Sequence, residues 1–247
     1  LKDDPAAPIT LLINEQTMLD QVSLNAIDDD HYKTMLTTMY NKYLKNKYSS
    51  IESLKKAWTS ANGENALLNG EDFDKDSIAL TAFSKLREKG EDWTSVNSQV
   101  RIKETINFLK SVQTEYFNEM KSFLIKLGFK GLVATSNLIS DIGALDAFRE
   151  CDFTAQNAYY DHIKKLPDGK VLFANYPSVE VNVMNGNTAM LEMNIAGVKI
   201  NTHPITTTES AMMTGHEWRS SYYLSFSSTA ALQYWDIVMH YSYGGGS

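Results

Sequence analysis

The chain has 247 residues and a formal net charge of −7, and 43% of its residues are hydrophobic against 21% charged. This composition supports a sizeable core, in one large domain or two small ones, and excludes an intrinsically disordered chain. The acidic balance argues against nucleic acid and anionic membrane as partners, and no apolar run approaches the roughly 18 residues of a spanning helix.

The single cysteine, Cys151, excludes an internal disulfide and a cysteine-rich metal site. It leaves the cellular compartment open, because many secreted enzymes also lack disulfides. The five histidines are scattered, and none has the H-E-x-x-H or Cys/His spacing of a zinc site. The sequence therefore predicts neither a metal nor a cofactor.

The first sixty residues predict one strand and two helices. Residues 9–13 (ITLLI) form a short continuous apolar run, which is typical of a strand buried on both faces. A helix is predicted at about residues 30–47. The pattern Ser49-x-x-Glu52 is a capping box, and it predicts a second helix that continues to Trp58.

The middle of the chain contains the clearest helix. Residues 59–98 are polar and dotted with glycine, and they are interpreted as an insertion. Residues 99–127 then predict a helix that ends at a C-capping Gly128, followed by a buried strand at 131–135 and a short helix near 144–150. Apolar residues recur along the long helix at spacings of three and four: Ile106, Leu109, Val112, Tyr116, Met120, Phe123 and Leu127.

The last hundred residues predict three more core strands. Strands are expected at 151–157, 203–209 and 234–241, and a helix capped at Thr214 is expected to run to about residue 232. Alternating apolar residues within 170–200 favour a β-rich insertion. Helices that alternate with short buried strands indicate a parallel α/β fold.

Two glutamates stand where predicted buried strands end. Glu15 follows the first strand and Glu209 ends the fourth. In a (β/α)8 barrel such strand ends converge on the active site, and two facing carboxylates are the groups that hydrolyse glycosidic bonds. Two ordinary surface glutamates fit this pattern equally well. Glu217 competes with Glu209, but it occupies a helix-capping position rather than a strand end.

Several short segments resemble clan A glycoside hydrolases. Residues 12–15 (LINE) resemble the Asn-Glu signature that ends the fourth barrel strand, and residues 40–58 (YNKYLKNKYSSIESLKKAW) are similar to a segment of the β-galactosidase-like families, family 42 included. Residues 206–209 (TTTE) resemble the seventh strand, and residues 230–236 (AALQYWD) resemble the approach to the eighth. The residues after Glu209, Ser-Ala-Met-Met, differ from the usual sequence of these families after the seventh strand.

The resemblance implies a fold and indicates which part of that fold this chain covers. The expected fold is an α/β (β/α)8 TIM barrel, of which this chain covers about strands four to eight, with insertions at 59–98 and 170–200. The expected domain is one catalytic domain over residues 1–247 that lacks its first three strand–helix units. The missing N-terminal barrel segment would then be a partner of this chain, because an open piece of a barrel exposes unpaired strand edges.

The resemblance also implies roles for individual residues. In clan A the strand-four Glu is the general acid/base and the Asn before it holds the sugar 2-hydroxyl, which implies these roles for Glu15 and Asn14. The strand-seven Glu is the nucleophile, which implies that role for Glu209. The tryptophan near the eighth strand forms the floor of the sugar subsite, which implies that role for Trp235.

Three more residues are candidates for binding the substrate. Residues 157–162 (NAYYDH) resemble the word H-x-Y-x-D-H-P that follows the sixth strand, with Asn157 in place of the His. Tyr159 could then hydrogen-bond the nucleophile, although a packing role fits it equally well. Asn137, after the second predicted strand, is a candidate for contacting a sugar hydroxyl, and a plain turn residue is the alternative.

The function that these residues indicate is retaining hydrolysis of a β-glycosidic bond in an oligo- or polysaccharide, without a cofactor. A barrel derived from a glycosidase that binds carbohydrate without catalysis is the alternative. A barrel hydrolase that uses a metal is a third hypothesis, which the poor spacing of ligands disfavours. The sugar, the linkage and the oligomeric state stay open at this point.

Overall fold

The structure is a computed structural model that describes residues 4, 6–18, 30–81, 96–139, 142–159, 163–165, 171–173, 194–212 and 219–241. The helices bounded within these residues are α1 (Asp30–Tyr48), α2 (Ile51–Ala57), α3 (Val96–Lys126), α4 (Ile142–Ala147) and α5 (Arg219–Leu232). The strands are β1 (Ile9–Leu11), β2 (Leu132–Ala134), β3 (Thr154–Ala155), β4 (Ala158–Tyr159), β5 (Ile163–Lys165), β6 (Val171–Phe173), β7 (Ile205–Thr207), β8 (Ser210–Ala211) and β9 (Ile237–Val238).

Internal contacts divide the chain into two compact units. The first unit consists of Leu1–Gln16, Phe117–Ile139 and Phe148–Ser247, and the second consists of Thr17–Tyr116 and Ser140–Ala147. In the part of the chain that the structure describes, no helix is long and apolar enough to cross a membrane.

Parallel strands form the framework of the first unit. β1 pairs with β2, β3 pairs with β7, and β7 pairs with β9, all in parallel. The N–H of Asp152 donates to the carbonyl of Val133 at 3.0 Å and that of Asn157 to the carbonyl of Asn137 at 2.8 Å, which joins the segments of β2 and β3. The order of neighbours is therefore the order along the chain: β1, β2, β3, β7, β9.

Two of these strands are interrupted by a pair of polar residues and then resume. Gln156 and Asn157 separate β3 from β4, and Thr208 and Glu209 separate β7 from β8. β4 and β8 again pair in parallel, and the N–H of Ala158 donates to the carbonyl of Glu209 at 3.1 Å. Two of the predicted site residues, Asn157 and Glu209, thus lie where regular strand pairing is broken. The remaining strands, β5 and β6, form an antiparallel pair.

One apolar cluster fixes α5 against the end of the sheet. Residues four apart on α5, Tyr222, Phe226 and Ala230, are buried together with Ile205 of β7. The other buried members of the cluster are Ala158, Ile195, Met212 and Trp235. This spacing places three side chains on one side of the helix, which is the stripe that an amphipathic helix buries.

The buried side of α3 differs from the apolar stripe of the sequence. Of the seven apolar residues with helical spacing only Leu109 is buried, whereas Phe123 is 51% and Leu127 is 55% exposed. The buried side also carries Thr105 and Gln113, whose side-chain oxygens accept hydrogen bonds from backbone N–H groups at 3.3 and 2.9 Å. Polar residues that are buried with their oxygens hydrogen-bonded in this way hide the true buried side from an apolar pattern.

The junction between α1 and α2 corrects the predicted capping box. Ser50, not Ser49, is the N-cap, and its hydroxyl accepts the N–H of Ser53 at 3.1 Å. Ser49 has a left-handed backbone (φ 64°), and its N–H donates to the carbonyl of Lys45 at 2.8 Å. It therefore closes α1 and is not available to open α2.

The end of α3 confirms the predicted glycine cap. Gly128 has φ 91°, and its N–H donates to the carbonyl of Ile125 at 2.9 Å. The N–H of Phe129 donates to the carbonyl of Leu124 at 3.0 Å. These two bonds form a Schellman motif, in which a residue without a Cβ adopts the left-handed conformation at little cost.

Buried polar contacts order residues 59–81 of the second unit. Arg101 contacts both carboxylate oxygens of Glu71, at 2.6 and 2.8 Å. The side chain of Asn41 donates to the carbonyl of Ile78 at 3.0 Å and accepts the N–H of the same residue at 3.1 Å. Side chains from the helices thus replace the backbone partners that this irregular segment lacks.

Parts of the sequence-based predictions lie outside the described residues. These are positions 82–95 of the first predicted insertion, positions 174–193 of the second, and positions 213–218, which include the predicted helix start at Thr214 and the competing glutamate, Glu217.

Gly131 holds β1 close to β2 and generates a stability prediction. A Cβ at Gly131 would lie 2.5 Å from the carbonyl oxygen of Pro8 and 2.9 Å from its carbon. That same oxygen accepts the N–H of Leu132 at 2.8 Å, so the two backbones cannot separate without losing the contact. We expect Gly131→Ala to lower the free energy of unfolding by about 2–3 kcal/mol in urea denaturation.

Gly63→Ala is the matched control. Gly63 has a left-handed backbone (φ 86°), which Gly131 does not have, and a Cβ at Gly63 would meet nothing within 4 Å. Gly63→Ala should lower the free energy of unfolding by only about 1 kcal/mol, because alanine is disfavoured in the left-handed conformation. If Gly131→Ala costs no more than this control, the close approach of the two backbones does not limit stability.

Candidate active site

Polar side chains follow the parallel strands of the first unit at their carboxyl ends. Asn14 and Glu15 follow β1, Asn137 follows β2, Asn157 follows β3, and Glu209 follows β7. Because neighbouring parallel strands end at the same edge of a sheet, these side chains share one edge. Four of them are joined in a single hydrogen-bonded circuit through one further residue.

The amide of Asn137 is the branching point of this circuit. Its side chain is 1% exposed, and its Oδ1 accepts the backbone N–H of Glu15 at 2.7 Å. Its Nδ2 donates to Oδ1 of Asn14 at 2.9 Å and to Oγ1 of Thr208 at 3.0 Å. Asn137, a candidate for contacting sugar, therefore uses its amide to connect the ends of three protein segments.

Thr208 and Asn157 close the circuit. The hydroxyl of Thr208 donates to Oδ1 of Asn157 at 2.6 Å. The Nδ2 of Asn157 donates to Oε1 of Glu15 at 2.8 Å. The hydrogen bonds that begin at the backbone of Glu15 thus end on its own carboxyl group, and the amide of Asn157 contacts Glu15.

Glu15 has a left-handed backbone conformation, with φ 50°. A residue with a Cβ adopts this region at a cost of roughly 1–2 kcal/mol. Two bonds hold the turn: Asn137 accepts the N–H of Glu15, and Oγ of Ser136 accepts the N–H of Gln16 at 3.1 Å. Strain maintained by buried partners is typical of functional positions.

Tyr159 holds the carboxyl group of the second glutamate, Glu209. Its hydroxyl donates a short hydrogen bond to Oε2 of Glu209. Burial raises the pKa of Tyr159 above its usual range, and the hydrogen bond to Glu209 and the negative charges of Glu209 and Glu15 raise it further. Tyr159 therefore stays protonated and acts as a donor to Glu209, and the charges of both carboxylates act on this one hydroxyl.

Trp235, predicted to bind sugar, is not brought to this site. It is 9% exposed and precedes β9, where its ring packs edge-on against Phe226 with centroids 5.4 Å apart. Tyr241 lies three residues beyond the end of β9 and is 57% exposed, and its ring stands edge-on to Tyr159 with centroids 6.4 Å apart. Tyr241 is thus an exposed aromatic side chain beside the tyrosine that donates to Glu209.

Thr208 and Tyr241 are residues of this site that sequence reasoning did not assign to substrate or catalysis. Thr208 directly precedes Glu209 and was counted only as part of a strand. Tyr241 was counted only as the end of the last predicted strand, and it lies shortly after the apolar residues that form that strand. Among the described residues, no group of three or more His, Cys, Asp and Glu side chains is arranged to hold a metal ion.

No protein-family model and no curated protein matches the chain. Two solved structures align with it. An agarase, AgWH50C, aligns with a TM-score of 0.47 and 14% identity over 83% of this chain and 25% of that chain. An exo-beta-agarase aligns with a TM-score of 0.42 and 12% identity over 81% of this chain and 24% of that chain. The chain thus spans about a quarter of the length of each.

The contact between Tyr159 and Glu209 generates a titration prediction. Because the hydrogen bond to Glu209 and its charge both raise the pKa of Tyr159, Glu209→Gln should lower that pKa towards the ordinary value near 10. The measurement is a pH titration of tyrosine 13Cζ signals by NMR, with the Tyr159 signal assigned by Tyr159→Phe. Glu119→Gln, on the exposed side of α3, is the control and should leave the titration unchanged. An unmoved Tyr159 signal in Glu209→Gln would show that the two groups do not interact in solution.

Proposed function

We propose that this chain carries the active site of a retaining β-glycoside hydrolase, with Glu209 as the nucleophile and Glu15 as the general acid/base. The observation that carries the proposal is that Tyr159 donates to the carboxylate of Glu209 and that Asn157, two residues earlier, donates to the carboxyl group of Glu15. Two glutamates at the ends of parallel strands, each held by a donor from the same short segment, are the pair of groups that this reaction needs.

In the proposed reaction the carboxylate of Glu209 attacks the anomeric carbon. The bond from that carbon to the glycosidic oxygen breaks, and the proton of Glu15 passes to this oxygen, which leaves as an alcohol. Glu15, now a carboxylate, then takes a proton from water. The resulting hydroxide oxygen attacks the anomeric carbon and releases Glu209.

The hydrogen-bond donors around the two carboxyl groups support this division of roles. A protonated tyrosine holds one oxygen of Glu209, and its donation keeps the attacking carboxylate in one orientation. An asparagine amide holds one oxygen of Glu15 and leaves the other for a proton. Two carboxyl groups in unlike surroundings are what a reaction with one acid and one nucleophile requires.

Asn14 and Tyr241 are the proposed contacts to the sugar. Asn14 is exposed, and its Oδ1 is occupied by Asn137, so its Nδ2 is the atom presented to a sugar hydroxyl. The exposed ring of Tyr241 beside Tyr159 offers an apolar face to the C–H groups of a pyranose. The proposed substrate class is an oligo- or polysaccharide.

The proposed fold around this site is a (β/α)8 barrel. Five parallel strands whose spatial order matches their order along the chain support this proposal. So does the position of the site, because in such barrels the active site lies at the carboxyl ends of the strands.

Substitution of the two glutamates tests the roles. Glu209→Gln should lower kcat roughly 10⁴-fold or more on every substrate, because no other group forms the glycosyl-enzyme. Glu15→Ala should lower kcat about 10²- to 10⁴-fold for phenyl β-glycosides and much less for 2,4-dinitrophenyl β-glycosides, whose leaving group needs no proton. Added azide should accelerate Glu15→Ala on the latter by attacking the glycosyl-enzyme.

Glu119→Gln is again the control and should retain full activity. If Glu217→Gln is inactive while Glu209→Gln is active, the nucleophile is Glu217. If the unmodified protein hydrolyses none of a panel of aryl β-glycosides but binds the corresponding sugars, the carbohydrate-binding alternative replaces the enzyme.

The stereochemistry of the product tests the double displacement separately. Retention requires the two carboxyl groups to be about 5–5.5 Å apart, whereas inversion requires roughly 6.5–9.5 Å to admit a water molecule. We expect proton NMR of the first-formed sugar to show the β-anomer. Initial release of the α-anomer from a β-glycoside would exclude a glycosyl-enzyme at Glu209 even if hydrolysis is observed.

A further inference from the structure

In the hydrogen-bonded circuit at Glu15, each donor and each acceptor is fixed. The backbone N–H of Glu15 determines this assignment. A backbone N–H can only donate, so the side-chain atom of Asn137 that lies 2.7 Å from the N–H of Glu15 must be the carbonyl oxygen. This orientation turns the Nδ2 of Asn137 towards Thr208. The orientation of a buried amide is thus decided by a group that cannot reverse its role.

The same reasoning continues through Thr208. Because Nδ2 of Asn137 can only donate, Oγ1 of Thr208 accepts from it at 3.0 Å, and the one hydroxyl hydrogen is left for Asn157. That hydrogen is donated to Oδ1 of Asn157 at 2.6 Å. The opposite side of the Asn157 amide, Nδ2, therefore faces Oε1 of Glu15, at 2.8 Å.

We propose that Asn137 and Thr208 are positioning residues, which hold the Asn157 amide so that the catalytic proton of Glu15 resides on Oε2. The carbonyl oxygen of a carboxylic acid is a better acceptor than its hydroxyl oxygen. A fixed N–H donor at Oε1 therefore makes Oε1 the carbonyl oxygen and Oε2 the hydroxyl. This inference rests on the proposed function for the role of that proton, which leaves Oε2 for the glycosidic oxygen.

Burial strengthens the arrangement. Asn137 and Asn157 are both buried, whereas Thr208 is half-buried and Glu15 is exposed, so it is the two amides that have little access to water. An amide that reversed would set an oxygen against the carboxyl oxygen of Glu15 and leave an N–H facing the hydroxyl hydrogen of Thr208. Each such mismatch leaves an atom of the buried Asn157 amide unsatisfied, which the native orientation avoids.

Thr208→Val tests the role of the hydroxyl, because valine has nearly the same shape. Without the hydroxyl, the Asn157 amide keeps only its contact with Glu15, so its orientation no longer confines the proton of Glu15 to Oε2. We expect kcat to fall about tenfold for phenyl β-glycosides and less than about twofold for 2,4-dinitrophenyl β-glycosides of the same sugar, with KM unchanged. Thr208→Ser keeps the hydroxyl and should restore the activity.

Thr206→Val is the matched control. Thr206 is a buried threonine on the same stretch of chain, and its hydroxyl has no hydrogen-bond partner among the residues that the structure describes. Thr206→Val should leave kcat unchanged for both the phenyl and the 2,4-dinitrophenyl β-glycoside. An equal loss on both substrates in Thr208→Val would reduce Thr208 to a structural role, and no loss on either would overturn the proposal.

A second measurement tests the circuit in the resting protein, independently of turnover. The hydrogen bond from Asn157 to Glu15 should give a through-hydrogen-bond scalar coupling between the side-chain 15N of Asn157 and the carboxyl 13C of Glu15. This coupling should be present in the unmodified protein and in Thr208→Ser, and lost in Thr208→Val. If the protein hydrolyses no glycoside, the proposed function fails and the coupling alone decides the orientation. Absence of the coupling in the unmodified protein overturns the inference even if the protein is an active glycosidase.

Discussion

The hydrogen bond from the backbone N–H of Glu15 to the side chain of Asn137 is the contact on which the strand-end arrangement depends. It joins the chain just after β1 to the chain just after β2, and it holds Glu15 in the left-handed turn. Because Asn137 is almost fully buried, its remaining amide hydrogens must also find acceptors, or the group costs about 1–3 kcal/mol. Those acceptors belong to Asn14 and Thr208, so one amide organises three segments.

The interruptions of the strands position three polar side chains of the candidate site. In a regular ladder every backbone group is paired and side chains alternate strictly between the two faces. Between β3 and β4, and again between β7 and β8, two polar residues break that regularity, yet the strands resume in parallel pairing beyond them. Asn157, Thr208 and Glu209 are thus held on both sides by paired backbone, while the side chains of Asn157 and Thr208 contact each other and that of Glu209 contacts Tyr159.

Sequence reasoning located the strands and the polar residues after them, because a short apolar run followed by a polar residue is a local signal. Glu15 and Glu209 were identified as site residues because they occupy such positions. Trp235 came instead from the resemblance to clan A glycoside hydrolases, and such a motif gives the order of residues along the chain but not which end of a two-residue strand each occupies. Burial of α3 was misread because Thr105 and Gln113 lie among its buried residues. Thr208 was not recognised, because a hydroxyl that relays a hydrogen bond has no sequence signature apart from its neighbours.

The left-handed backbone of Glu15 lowers the stability of the fold at a position where the proposed chemistry needs a glutamate. Asparagine and aspartate tolerate this conformation better than glutamate, and glycine adopts it without penalty, yet none of them reaches as far with a carboxyl group. Selection for a more stable chain alone would therefore replace Glu15. A glutamate retained at such a position is the mark of a thermodynamic compromise, and consensus or computational stabilisation of this protein would remove the residue that the proposed chemistry needs most.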